Sequence, residues 1–332
     1  MSTFLTWRRG RAAAALAVAC TAVLVLSACG SSAGGEAAPG GTPSGTASEN
    51  LRVVDLLDTT FDLGAMGIAP VATPFLDRAF AERVLAELEL PADIEQQILA
   101  AELVNTGDGI NTERVAALDP DVILLSETSV GTFNADPEAL RQFGKVVFIP
   151  ENLSWQERTK AIGEAVGRGP QAEQLVAEAQ RSIDELGTLV QQSGVAGETV
   201  SPMRLDVAGF GVLALIPPSI GSSIIAAVGL AQPAAQTGNP PLLAGVADYY
   251  ALTKVSFEKL PEHDADVIIA LTRGGADPTA AVNDNALWKS MSAVQADRVV
   301  EAPWLVWALN SATGVQQITS DLTEATKLLQ QQ

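Results

Sequence analysis

The 332 residues carry 39 acidic and 20 basic side chains, a formal net charge of −19 at pH 7, with a single histidine and two cysteines. So acidic a chain has no basic stripe to displace counterions from phosphates, which excludes a nucleic-acid partner. One histidine is too few for the ligand sets of ordinary zinc sites.

At the amino end, Arg8, Arg9 and Arg11 precede an apolar run over residues 12–26 that ends in Leu26-Ser27-Ala28-Cys29. A spanning helix needs about 20 apolar residues, so this shorter run followed by small residues predicts a signal peptide over residues 1–28. The LSAC tetrad resembles a bacterial lipobox, which implies diacylglycerol transfer to the Cys29 thiol and cleavage before it. Cys20 leaves with the signal, so the mature chain holds no pair for a disulfide. Loss of three arginines and no acid takes the charge from −19 to −22. Residues 29–50 are mostly Gly, Ala, Ser, Thr and Pro and predict a lipid-anchored, disordered tether with a span of about 25 Å as a Gly-rich coil.

From residue 51 on, the runs LRVVDLL, DVILLS, KVVFIP, PMRLDV, VLALI, DVIIALT and RVVEA alternate with segments of helical period. That pattern predicts an α/β protein whose two lobes hold mainly parallel sheets flanked by helices. The first lobe is expected over residues 51–153. It contains ERVAALDPDVIL at 113–124, nearly repeated by EKLPEHDADVII at 258–269, so Glu113, Asp119 and Asp121 correspond to Glu258, Asp264 and Asp266. The apolar positions are those of any helix feeding a buried strand. A core does not need the glutamates.

Residues 154–196 are expected to connect the lobes. Ser154-Trp155-Gln156-Glu157 is a capping box, and Gly167-Arg168-Gly169-Pro170 breaks the helix it starts. A second helix over residues 170–192 places Ala172, Leu175, Val176, Ala179, Ile183 and Leu186 on one stripe, and Gly194 ends it. At 1.5 Å per residue it reaches about 34 Å, long enough for a stiff strut.

The second lobe, residues 197–332, contains Gly209-Phe210-Gly211, a loose match to a dinucleotide fingerprint. The strand-like VLALIPP follows where that motif needs a helix, so a hairpin-like turn is predicted instead. His263, in PEHDAD, is expected in a solvated or turn role. No nucleophile elbow or phosphate-binding loop occurs, so no enzyme is expected.

Open α/β sheets bind ligands beyond the carboxyl ends of their strands. The residues there are Thr59, Thr60, Glu127, Thr128 and Trp155 in the first lobe. Arg204, Phe210, Arg273, Trp304 and Trp307 hold such places in the second, with Tyr249 and Tyr250 in the irregular VADYYALT. Singly, packing is the commoner role of each; together they suit a bulky ligand with flat surfaces.

GAMGIAPVAT, NTERVAALDPDVILLS, AIGEAVG before the strut, IIAAVGLAQP, VSFEKLPEHDADVII, ALWKSMSAVQADRVVEA and NSATGVQQI follow in that order. Together they resemble the substrate-binding lipoproteins of ABC importers for ferric siderophores, cobalamin and haem, over nearly everything from residue 51. The resemblance implies a monomeric, lipid-anchored receptor on the extracytoplasmic face of the cell membrane. Such a receptor captures a ferric siderophore between its lobes, closes by a small rotation and delivers the ligand to a permease dimer. It docks through one acid per lobe, here Glu113 and Glu258. No intrinsic cofactor and no direct metal ligand are implied, since ferric iron arrives inside the siderophore.

The ligand contacts expected on this basis are Arg273, Tyr250 and Trp307, with Trp304, Arg204, Tyr249, Thr60, Glu127 and Trp155 around them. The chain departs from hydroxamate binders in having no basic residue in NTGDGINTE and no tyrosine in SETSVG. Arg204 and Arg273 are left to pair with the oxygens of an iron carrier. The alternatives are a cobalamin or haem binder, and a lipid-anchored interaction protein that kept the fold and lost the ligand.

Overall fold

A computed structural model describes residues 51–73, 81–82, 85, 88, 90–105, 108–207, 211–243, 251–272, 279 and 282–331. The expected signal peptide, Cys29 and the tether lie outside the described residues, as do Phe210, Tyr249, Tyr250 and Arg273. Among the described residues no helix is long and apolar enough to cross a membrane.

The first lobe contains β1 (Val53–Asp55), β2 (Ala72–Thr73), β3 (Glu102–Leu103), β4 (Val122–Leu125) and β5 (Lys145–Phe148). They pair in parallel in the order β3-β2-β1-β4-β5. Around them lie α1 (Thr60–Ala65), α2 (Ala92–Ala100), α3 (Thr112–Ala117), α4 (Glu127–Gly131) and α5 (Pro137–Leu140). The two-residue strands β2 and β3 are too short to show a period in sequence, which is why only the runs at β1, β4 and β5 announce this sheet.

The capping box forms as expected: the Ser154 amide and hydroxyl donate to Glu157 Oε2 at 3.0 and 2.7 Å, and the Glu157 amide donates back to Ser154 Oγ. It opens α6 (Trp155–Ala165), and the strut α7 (Gly169–Gln192) follows. The corner between them is tight, since a Cβ on Gly163 would stand 2.3 Å from Ala172 Cβ. Gly194, at φ +70°, ends the strut in the left-handed region that glycine adopts freely.

The second lobe pairs β6 (Val200–Val207), β7 (Gly211–Leu215), β8 (Leu252–Val255), β9 (Val267–Thr272) and β10 (Val299–Pro303) in the order β10-β9-β6-β7-β8. β10, β9 and β6 are parallel, whereas β7 and β8 are antiparallel additions. The reason is connection length: the few residues between β6 and β7 allow a hairpin and not a crossover. Strand β8 corrects the expectation of irregular chain through ALT. The helices of this lobe are α8 (Ile220–Ala227), α9 (Ala234–Thr237), α10 (Ala286–Ser290), α11 (Ser292–Gln295), α12 (Trp304–Ala308) and α13 (Ala312–Leu329).

Strand alternation sorts the core. Val53, Leu124, Leu213, Leu215, Ile269 and Leu271 join the stripe of the strut in one apolar cluster that spans both lobes. Their neighbours Val54, Ile123 and Leu125 face a separate core in the first lobe, and Met203, Leu205, Ile268 and Ala270 another in the second. The strut is not a solitary beam: α13 packs against it and contributes Ile318, Leu322, Ala325 and Leu329 to the shared cluster.

Candidate ligand-binding site

At the carboxyl end of β1, buried Asp55 shapes the loop. Its carboxylate accepts the amides of Leu57 and Thr59 and the hydroxyls of Thr59 and Thr60 at 2.7–2.9 Å. Burial raises its carboxyl above the ordinary range, and these four donors oppose the shift. Thr60 is itself buried and spends its hydroxyl inward. The expectation that Thr60 faces a ligand is therefore corrected: it holds the loop.

At the end of β4 two glutamates cross-link neighbouring loops. Glu151 Oε1 accepts the Ser126 hydroxyl at 2.7 Å and the Thr128 amide at 2.8 Å, while Glu127 Oε2 accepts the Glu151 amide at 3.0 Å. Glu127 is exposed and tied to the loop after β5. Trp155, the first residue of α6, is half-buried and packs on the shared core.

In the second lobe Arg204, on β6, stacks over the Trp304 ring with its guanidinium carbon 4.8 Å from the centroid. Trp304 follows directly on β10 and opens α12. The strand ends thus bring these two predicted residues together. Trp307 is placed otherwise. It is 0% exposed, it donates its indole N–H to Asp321 at 2.8 Å, and it fills the space left by the missing side chain of Gly221. The expected ligand contact at Trp307 is corrected to a core role, because its indole N–H is spent on buried Asp321 and its ring is packed against Gly221, leaving no face for a ligand.

The repeated acidic motif resolves into two parts. Asp121 Oδ2 accepts the amide of Arg52 at 2.8 Å, and Asp266 Oδ2 accepts the amide of Thr199 at 2.8 Å and its hydroxyl at 2.6 Å. Arg52 and Thr199 immediately precede β1 and β6, the parallel neighbours of β4 and β9. Each aspartate therefore pins the start of the adjacent strand. Burial disfavours the charge on Asp266, but Thr199, Glu198 and Arg298 outweigh it and hold the carboxyl below its ordinary range; Glu198, its hydrogen-bonded partner, is raised. Glu113, on α3, and Glu258, on the 3₁₀ turn Phe257–His263, are both exposed.

The family model for periplasmic binding proteins matches residues 66–304. The chain belongs to the periplasmic binding protein family. A curated relative, the iron(3+)-hydroxamate-binding protein FhuD of Bacillus subtilis, is 26% identical over 192 residues, which are 58% of this chain and 58% of the relative. The chain thus matches little more than half the length of that relative. Among solved structures, the siderophore periplasmic binding protein from the fuscachelin gene cluster of Thermobifida fusca superposes with a TM-score of 0.64 at 22% identity, over 83% of this chain and 96% of that one. FhuD2 of Staphylococcus aureus with bound ferrioxamine B gives a TM-score of 0.62 at 18% identity, over 84% and 99%.

Among the described residues no group of three or more His, Cys, Asp or Glu could hold a metal ion. Sequence reasoning missed the buried charges Asp62 and Arg158, which lie between the lobes. The one available signal was an aspartate set in the otherwise apolar FDLGAMG.

Proposed function

We propose that this protein is the lipid-anchored, extracytoplasmic receptor of an ABC importer that captures a ferric siderophore between its lobes. The observation that carries this reading is the two-lobed, strut-joined frame itself, shared over 84% of the chain with a structure described as holding ferrioxamine B. The stacked Arg204 and Trp304 support it: the Trp304 ring is buried and braces the half-buried guanidinium of Arg204, whose charge suits a carrier's hydroxamate, catecholate or carboxylate oxygens. Arg273, Tyr249 and Tyr250 complete the proposed contacts, with Glu127 and Trp155 across the cleft. The protein acts as a monomer. Cleavage before Cys29 and its acylation anchor it, and Glu113 and Glu258 meet the two halves of the permease.

The test is quenching of tryptophan fluorescence in the purified protein, titrated with ferrioxamine B, a ferric catecholate, a ferric carboxylate, cobalamin and haem. Saturable quenching by one or more of the ferric siderophores is expected. Quenching by cobalamin or haem alone would replace the ligand class, and none at all would leave an interaction protein on a receptor's frame.

A further inference from the structure

One buried polar cluster joins the rims of the two lobes. Asp62, on α1, takes the amide of Thr313 on Oδ1 at 3.0 Å, and the Thr313 hydroxyl donates to the same oxygen. Thr313 lies in the first turn of α13, an 18-residue helix, so a carboxylate from the first lobe sits at the positive end of a helix of the second. Arg158, on α6, donates from Nη2 to the carbonyl of Leu57 at 3.1 Å and from Nη1 to that of Asn310 at 3.4 Å. Beside it, the Thr159 hydroxyl accepts the amide of Ala312 at 3.1 Å, and the Asn310 side chain donates to the carbonyl of Leu153 at 2.8 Å. Asp62, Arg158, Thr159 and Thr313 are all buried.

The segments held here lie just beyond strand ends of the two lobes. Leu57 and Asp62 bracket the loop shaped by Asp55, and residues 310–313 follow the helix that begins with Trp304. A core that needed only cohesion would be served by apolar contacts at less desolvation cost. Directional bonds that tie one guanidinium and one carboxylate to three residues in two segments instead fix angles as well as distances.

We propose that Asp62 and Arg158 are positioning residues that clamp the two rims of the ligand cleft to each other and hold the unliganded protein in its binding geometry. The inference rests on the receptor reading for its ligand, and the clamp itself concerns the unliganded chain. Opening the cleft breaks both bonds from Thr313 to the buried Asp62 carboxylate and one of the two that Arg158 makes, a cost that the strut's stiffness alone does not impose.

The test uses the full chain with Cys20 and Cys29 replaced by serine, carrying Thr313→Val, Thr313→Ser or Asp62→Asn. Spin labels on Glu113→Cys and Glu258→Cys report the distance between lobes without ligand, and titration of the unlabelled variants with ferrioxamine B reports affinity. Thr313→Val and Asp62→Asn are expected to broaden the distance distribution and weaken binding about tenfold, the loss expected for one charge-assisted bond. Thr313→Ser, which keeps the hydroxyl, restores both. A broadened distance in a protein that binds no siderophore supports the clamp while refuting the receptor reading. Unchanged distances in the variants that fold overturn the clamp, whether or not affinity or thermal stability falls.

Discussion

In the first lobe the acidic motif runs through an α-helix, α3, into β4; in the second it runs through the 3₁₀ turn Phe257–His263 into β9. Aligned by their aspartates, Ala116 answers to Pro261 and Leu118 to His263. A proline has no amide to give to the carbonyl four residues back, so the second copy cannot continue as an α-helix. The end differs too: Asp119 takes a left-handed φ of +44°, whereas Asp264 is extended and accepts the amide of Ser292 at 2.6 Å. Yet Asp121 and Asp266 pin the neighbouring strand in the same way, and Glu113 and Glu258 are exposed in both copies. The strand start tolerates one arrangement, the approach to it tolerates several, and the glutamates persist where neither requires them.

The strongest way to break the comparison is to reverse both glutamates. If they are docking charges, Glu113→Arg with Glu258→Arg abolishes iron uptake in cells while leaving siderophore affinity intact, because each reversed side chain now opposes a cationic pocket. Either single reversal impairs uptake less. Normal uptake by the double variant would return the motif to ordinary helix-to-strand construction.

A smaller effect ranks the two aspartates. Asp266 accepts two bonds from Thr199 in a part-buried setting, whereas Asp121 accepts one from Arg52 at an exposed one. Asp266→Ala should therefore cost about 2 kcal/mol and Asp121→Ala about 1 kcal/mol in urea unfolding. Equal losses would mean that the two pins are not distinguished by burial.

The smallest effect concerns His263, which burial holds below its ordinary pKa: of the two roles expected, it takes the turn, in Phe257–His263, and at 5% exposure not the solvated one. Its neutral form is favoured by folding, so its contribution to stability is complete above about pH 6.5, the ordinary histidine value, and is lost as pH falls through the lower folded pKa. His263→Leu makes this position like Leu118. It should flatten part of the fall in urea midpoint between pH 7 and pH 5, and an unchanged slope would show that the ring charges without penalty.

Local grammar was legible where it is enforced within a few residues: the capping box at Ser154, the break at Gly167 to Pro170, the strut's stripe and the seven long strand runs. The candidate site was legible only as a set of strand ends. Thr60 and Trp307 belong to that set by position, but one is occupied by Asp55 and the other by Asp321. Which side chain at a strand end faces a ligand depends on partners 5 and 14 residues away, and no period in the sequence reports them.

The sequence by itself determined the α/β class, the strut and the doubled acidic motif, because hydrophobic period, capping and chain-breaking act between near neighbours. Only the tertiary structure decided that the second sheet takes antiparallel strands, that α13 backs the strut, that His263 is buried, and that Asp62 meets Thr313 across 251 positions. Those outcomes rest on contacts between segments far apart in the chain. A buried polar group must find its partner wherever folding places one, and the partner's position is set by packing and not by spacing.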